Sequence, residues 1–167
     1  MRIKLIMIGK TTDKLYINAI NDYISRIGHY NNFSVQIIPG LKNTKNLSHE
    51  QQKQNEGYLI QKELSPSDKV ILLDENGKEF KSVEFARWLE NKQQTTQKLV
   101  FVIGGPYGFS DDIYNRADEK ISLSKMTFSH QMVRLIFVEQ LYRACTIIKG
   151  ESYHHERNSM KKPLDEI

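Results

Sequence analysis

The sequence predicts an α/β fold: a mostly parallel sheet with helices on both faces. Three observations carry this. Strand-like and helix-like segments alternate from end to end, which is the pattern of strands joined by helical crossovers. Two strands, Val70–Leu73 and Leu99–Ile103, are continuously apolar, as strands buried on both faces must be. The 167 residues match one domain, since domains run to about 100–150 residues.

The elements follow in order. Ile3–Ile8 reads as a first strand. Thr12 opens a helix whose Tyr16, Ile20, Tyr23, Ile24 and Ile27 line one face, the 3.6-residue spacing of an amphipathic helix. Phe33–Ile38 is a second strand closed by Pro39-Gly40, and a polar loop spans 41–47. Ser48 with Gln51 forms a capping box for a helix to about Leu64, which Ser65-Pro66 stops. The third strand, Lys69–Leu73, ends in a turn at Glu75–Lys78. Ser82 caps a helix through Phe85, Ala86, Trp88 and Leu89. Leu99–Ile103 is the fourth strand, followed by Gly104-Gly105-Pro106-Tyr107-Gly108. Ser110-Asp111-Asp112 opens a short helix with its acids where the helix dipole favours them. Lys120–Leu123 is the fifth strand, and 130–149 the last helix, closed by Gly150. Residues 1–156 read as a single domain and 157–167 as a mobile tail.

Charge and composition bound the function. Lys and Arg number 24 against 20 Asp and Glu, a net charge of +4. Between Ile121 and Lys162 the cations Lys125, Arg134, Arg143, Lys149, Arg157, Lys161 and Lys162 outnumber the acids. This reads either as a nucleic-acid contact or as a solvated basic face. The one cysteine, Cys145, lies on an apolar helix face and reads as an inert thiol in a reducing cytoplasm. No apolar run reaches the roughly 18 residues of a membrane helix. His154 and His155 have no third ligand at sensible spacing, so no metal is expected.

In an open α/β sheet, ligands bind beyond the carboxyl ends of the strands. The glycine cluster 104–108 is not a dinucleotide fingerprint, and Pro106 removes an amide that a phosphate needs. It suits either a tight turn or a backbone-lined pocket for a flat, uncharged base such as adenine. The loop Leu123-Ser124-Lys125-Met126-Thr127-Phe128 is small and polar. His130 starts the last helix, either as a satisfied helix-end residue or facing a phosphate or substrate. Arg143 follows Glu139 by four residues, so an ion pair competes with a role in binding. Tyr107, Tyr142 and Tyr153 either stack on bases or fill an interface.

The segments Val70–Asp74, Phe101–Gly108, Leu123–Arg134, Glu139–Ala144 and Gly150–His154 together resemble the large-subunit ribosomal RNA pseudouridine N3-methyltransferases, the small knotted SPOUT methyltransferases. The resemblance spans about residues 1–156. It implies a C-terminal trefoil knot, an exception to unthreaded chain topology, and a homodimer whose interface completes the active site. It implies S-adenosyl-L-methionine as methyl donor, held by Leu73, Gly104 and Leu123, Ser124, Lys125, Met126, Thr127 and Phe128. It implies a cytoplasmic enzyme acting on N3 of a pseudouridine in 23S ribosomal RNA, in the subunit-interface stem-loop of assembled ribosomes. No residue suits as general base, so Arg143, His130 and Arg134 are assigned to easing formation of the imide anion, with water or a histidine accepting the proton. Lys149, Tyr153, His154 and Arg157 are assigned to RNA contact, Tyr153 and His154 equally to cofactor contact. Two features depart from the family pattern: Ser129 stands where Pro is usual, and the tail after Glu156 is longer. The alternative is a non-catalytic ribosome-binding or assembly module with a cofactor pocket. An oxidoreductase is excluded because Ile8-Gly9-Lys10-Thr11 supplies no glycine fingerprint after the first strand.

Overall fold

A computed structural model describes residues 1–155; the expected tail and Arg157, Lys161 and Lys162 lie outside them. The elements in order are β1 (Arg2–Ile8), α1 (Lys14–Ile27), β2 (Asn32–Ile38), a 3-10 turn (Thr44–Asn46), α2 (His49–Lys62), β3 (Lys69–Glu79), α3 (Ser82–Thr95), β4 (Lys98–Ile103), α4 (Asp111–Arg116), β5 (Glu119–Ser122) and α5 (His130–Ile148). The five strands form one all-parallel sheet in the order β2-β1-β4-β3-β5.

Both faces are covered, and alternation along each strand divides its residues between two cores. Ile3, Leu5, Met7, Ile71, Leu99 and Phe101 pack with Ile20, Ile27, Leu89, Phe137 and Leu141 from α1, α3 and α5. Ile6, Ile8, Val70, Leu72, Val100 and Val102 pack on the other side with Ile60 of α2 and Ile113 of α4. Cys145 is 2% exposed in the first core. Burial pushes its thiol up to about 11, with a weaker opposing bond from Asn31.

Three local expectations are corrected. Asp13, not Thr12, caps α1, accepting from the Leu15 amide. Thr12 and Asp13 instead donate their amides to Gln131 Oε1. Lys81 stands at the N-cap of α3, where its amide donates to Glu84, and the Ser82 hydroxyl donates to Gln140. The turn at 75–78 does not end β3. The chain loops out after Leu73, which pairs with Ile121, and rejoins β5 at Lys78, paired with the same residue. Asp74 Oδ1 holds this excursion by accepting from the Asn76 amide.

Gly77 makes the excursion possible. A β-carbon there would lie 2.6 Å from the Ile121 amide nitrogen and 2.7 Å from the Lys120 carbonyl carbon. Backbone cannot yield as a flexible side chain can. Gly77→Ala is therefore expected to destabilise the fold by about 1–3 kcal/mol, measured by denaturant unfolding; unchanged stability would contradict this packing.

The sheet order decides where a site can form. The carboxyl ends of β4, β3 and β5 lie side by side, with that of β1 flanking β4. Among the described residues, no helix is long and apolar enough to cross a membrane.

Candidate active site

The three adjacent strand ends open into one crevice of about 610 Å³. Its walls are Leu73–Asn76 after β3, Ile103–Phe109 after β4, and Leu123, Ser124, Met126, Thr127 and Phe128 after β5, with His130 and Val133 of α5. Glycine allows the backbone to form the wall after β4. A β-carbon on Gly104 would lie 3.0 Å from the Phe109 ring, and one on Gly105 would lie 2.0 Å from a Glu56 carboxylate oxygen. Gly108 takes φ +82°, a left-handed conformation that glycine adopts without penalty. Its amide donates to the Gly105 carbonyl, closing a tight turn around Pro106-Tyr107. Tyr107 stacks on His49, with ring centroids 3.8 Å apart. After β5, the Ser122 hydroxyl donates to the Ser124 carbonyl, and the Ser124 hydroxyl accepts the Met126 amide. On the β3 side the Tyr114 hydroxyl donates to Asp74. Burial first, and then that carboxylate, push the Tyr114 phenol well above its ordinary range.

His130 is fixed at the crevice by Arg134. The Arg134 side chain is 0% exposed. Its Nη2 donates to the Ile8 carbonyl at 2.6 Å and to His130 Nε2 at 2.8 Å, and its Nη1 donates to Thr11 Oγ1 at 2.9 Å. His130 Nε2 lies 2.8 Å from that guanidinium and 3.2 Å from the Ile8 carbonyl; a guanidinium only donates, so the shorter contact makes Nε2 the acceptor and leaves the proton on Nδ1. Burial, and then the Arg134 charge, lower the proton affinity of the imidazole, against a weaker opposing effect of the Ile8 carbonyl. His130 is thus a neutral ring near pH 7, with its proton on Nδ1.

A second polar cluster sits further along α5. Arg143 donates to Glu139 Oε1 and to His154 Nδ1, the latter at 3.2 Å, and its guanidinium lies 4.8 Å from the Tyr153 ring centroid. The Tyr153 hydroxyl donates to the same Glu139 oxygen at 3.1 Å, and burial is the first cause that raises its phenol. None of these residues lines the crevice. Thirteen residues of helix separate His130 from Arg143, about 20 Å along the axis.

A family model described as "Predicted SPOUT methyltransferase" matches residues 1–154. The chain belongs to the SPOUT methyltransferase family. It is 64% identical over 157 residues to a Phocaeicola vulgatus protein, 62% to one from Bacteroides fragilis and 59% to one from Parabacteroides distasonis. Each of these is named "Ribosomal RNA large subunit methyltransferase H", and each match covers 93% of this chain and 100% of the relative.

Within this SPOUT chain, Leu73, Gly104, Leu123, Ser124, Met126, Thr127 and Phe128 all line the crevice. Lys125 does not: its side chain is 86% exposed, 4.0 Å from Glu79. His130 lines the crevice, and Arg134 reaches it only through His130. Arg143, Tyr153 and His154 gather at the distant cluster, and Lys149 is exposed at the end of α5. Ser129 caps α5 by accepting from the Met132 amide. Tyr107, Tyr142 and Tyr153 all have aromatic partners within the chain. Sequence reasoning missed Asp74, Tyr114 and Phe109 as wall residues, and Glu56 beneath the glycine turn.

Glu56 is 3% exposed, and among the described residues its Oε2 has no hydrogen-bond partner. Burial raises its proton affinity against a weaker bond from Gln52. A carboxyl raised on folding stabilises the native state below its unfolded pKa, about 4.3, and loses that contribution as pH climbs through the folded pKa. Glu56→Gln should therefore gain stability relative to wild type as pH rises above about 4.3, by no more than about 1.4 kcal/mol per pH unit. Denaturant titrations across pH check this; parallel curves would contradict it.

Proposed function

We propose that this chain is an S-adenosylmethionine-dependent methyltransferase acting on N3 of a pseudouridine in 23S ribosomal RNA, in the subunit-interface stem-loop of assembled ribosomes. It would work in the cytoplasm as a homodimer, with the C-terminal trefoil knot of its family. The names of its relatives support the ribosomal RNA substrate. The observation that carries the proposal is the crevice, which three neighbouring strand ends line largely with main chain and small side chains.

The crevice fits the cofactor. Its backbone wall at Gly104-Gly105 is a cradle that β-carbons would fill. Leu73, Gly104 and the 123–128 loop are the residues to hold it, Lys125 through its backbone. When bound, S-adenosylmethionine supplies an electrophilic methyl group on a sulfonium. The protein contributes position and field. His130 offers Nδ1–H as a donor toward the crevice, and Arg134 holds that tautomer as a positioning residue. Neutral His130 has its Nε2 lone pair committed to Arg134, so the imide proton leaves to water.

Arg143 supplies positive charge for the developing imide anion, with Tyr153 and His154 fixing its direction. Arg143 stands ten residues, about 15 Å of helix, beyond Val133, the nearest crevice residue of α5, and this separation supports a site shared between subunits. In a two-fold dimer with the α5 helices side by side, Arg143 of the partner subunit serves the crevice. Lys149 and, beyond the described residues, Arg157 would pair with phosphates and make ribosome binding salt-sensitive.

Calorimetry with S-adenosylmethionine, and mass-spectrometric mapping of 23S RNA from deletion-strain ribosomes before and after adding the protein, test this. Cofactor binding with a new methyl on one pseudouridine is expected. Ribosome binding without either result would favour the non-catalytic assembly module.

A further inference from the structure

We propose that Glu56 is a positioning residue for the crevice: from α2, its carboxyl props the underside of Gly105 and sets the height of the turn that lines the site. This role rests on the crevice being the S-adenosylmethionine site.

Helix α2 touches the turn after β4 at three points. Near its start, His49 stacks on Tyr107 with an interplanar angle of 16°. At its middle, Glu56 and Gly57 are buried side by side. The Glu56 carboxyl lies so close to Gly105 that a β-carbon there would be 2.0 Å from Oε2 and 2.9 Å from Oε1. A β-carbon on Gly57 would be 2.4 Å from Ser110 Oγ and 3.3 Å from Ile113 Cγ1. Consecutive residues of one helix thus hold both ends of the segment Gly105–Ser110. Between those ends, Pro106, Tyr107, Gly108 and Phe109 line the crevice.

Packing alone does not account for a carboxyl here. Leaving a buried polar atom unpartnered costs free energy, and an apolar side chain of similar volume avoids that cost. The shape match is specific: a full carboxyl stands where residue 105 has no side chain. Enclosed as it is, Glu56 cannot swing into water to admit a methyl group. Gly105 has no positive φ, so alanine there tests space without backbone strain.

A double-mutant cycle tests the role, with S-adenosylmethionine affinity read by calorimetry and folding by thermal unfolding. Gly105→Ala should weaken affinity about tenfold or more, and Glu56→Ala about fivefold. The double variant should bind at least about fivefold more tightly than Gly105→Ala alone, because the new methyl enters the volume that the carboxyl vacates. Glu56→Gln, alike in shape, should bind within about twofold of wild type. Glu56→Asp, which withdraws the carboxyl by one methylene, repeats the cycle if Glu56→Ala fails to fold. Losses that simply multiply in the double variant, or single variants that lose thermal stability but keep full affinity, would overturn the positioning role. Wild-type protein that does not bind S-adenosylmethionine would refute the crevice assignment itself, and this role with it.

Discussion

Arg143→Ala should lower methyl transfer to ribosomes at least about 100-fold while leaving S-adenosylmethionine affinity within about twofold, as for loss of a charge aimed at a developing anion. The two readouts separate because Arg143 lies about 15 Å along α5 beyond Val133, the nearest crevice residue on that helix. Glu139 orients the guanidinium, His154 accepts from it, and the Tyr153 ring lies under it. Glu139 keeps the Tyr153 hydroxyl as a donor once Arg143 is gone, so the fold should survive the change. Arg143→Lys should rescue poorly, because a point charge cannot reproduce the planar fork. Single-turnover kinetics and calorimetry are the measurements. Wild-type turnover by Arg143→Ala would remove this residue from the chemistry.

The second large effect concerns stability. Arg134→Ala leaves a cavity and strips partners from the Ile8 carbonyl and Thr11, while removing the cost of a buried charge. Cavity and unsatisfied carbonyl together exceed about 3 kcal/mol, and the relieved desolvation returns part of it. At about 2–4 °C per kcal/mol for a domain of this size, a net loss of about 2 kcal/mol lowers the melting temperature by about 4–8 °C. A second readout isolates the link to His130. Without the guanidinium, the histidine loses both the neighbouring charge and the donor that holds its lone pair. Its NMR titration midpoint should move up, toward about 6.5. Protonation there adds charge at the crevice below neutral pH. An unchanged His130 midpoint would contradict the Arg134–His130 coupling.

How much of this was legible in the sequence depended on the range of the interactions. The strands were legible because continuous apolar runs state double burial directly. The caps at Ser48 and Ser110 were legible because capping is local chemistry within three residues. The β3 excursion was not, because what continues the strand is Gly77 meeting the Ile121 backbone, more than forty residues later. Thr12 lost the cap of α1 to Asp13 while Gln131 took the Thr12 amide, a contact no local pattern reports. A crevice does lie at the strand ends to which the strand-end rule points, and seven of the cofactor residues implied by the family resemblance are among its lining.

The side chains at and beyond the crevice were read less well. Arg134 on an apolar helix body, four residues after His130, carried a signal of burial that its charge obscured. Glu56 carried none. It stands in a polar helix among Gln, Lys and Asn, where a glutamate reads as solvated, and only the glycine turn packed on it makes it an interior residue. The Glu139–Arg143 pair was legible from its spacing of four. That neither residue lines the crevice was not, because this depends on how α5 runs relative to the strand ends.

The shared site is the central claim, and mixing two inactive subunits tests it most directly. One carries Gly104→Val, which blocks the crevice; the other carries Arg143→Ala. Subunits exchanged at equal concentration should form hybrid dimers with one complete site, and random pairing should restore about a quarter of wild-type methylation. A mixture as inactive as its parents, in dimers shown to have exchanged, would contradict a site built from two chains.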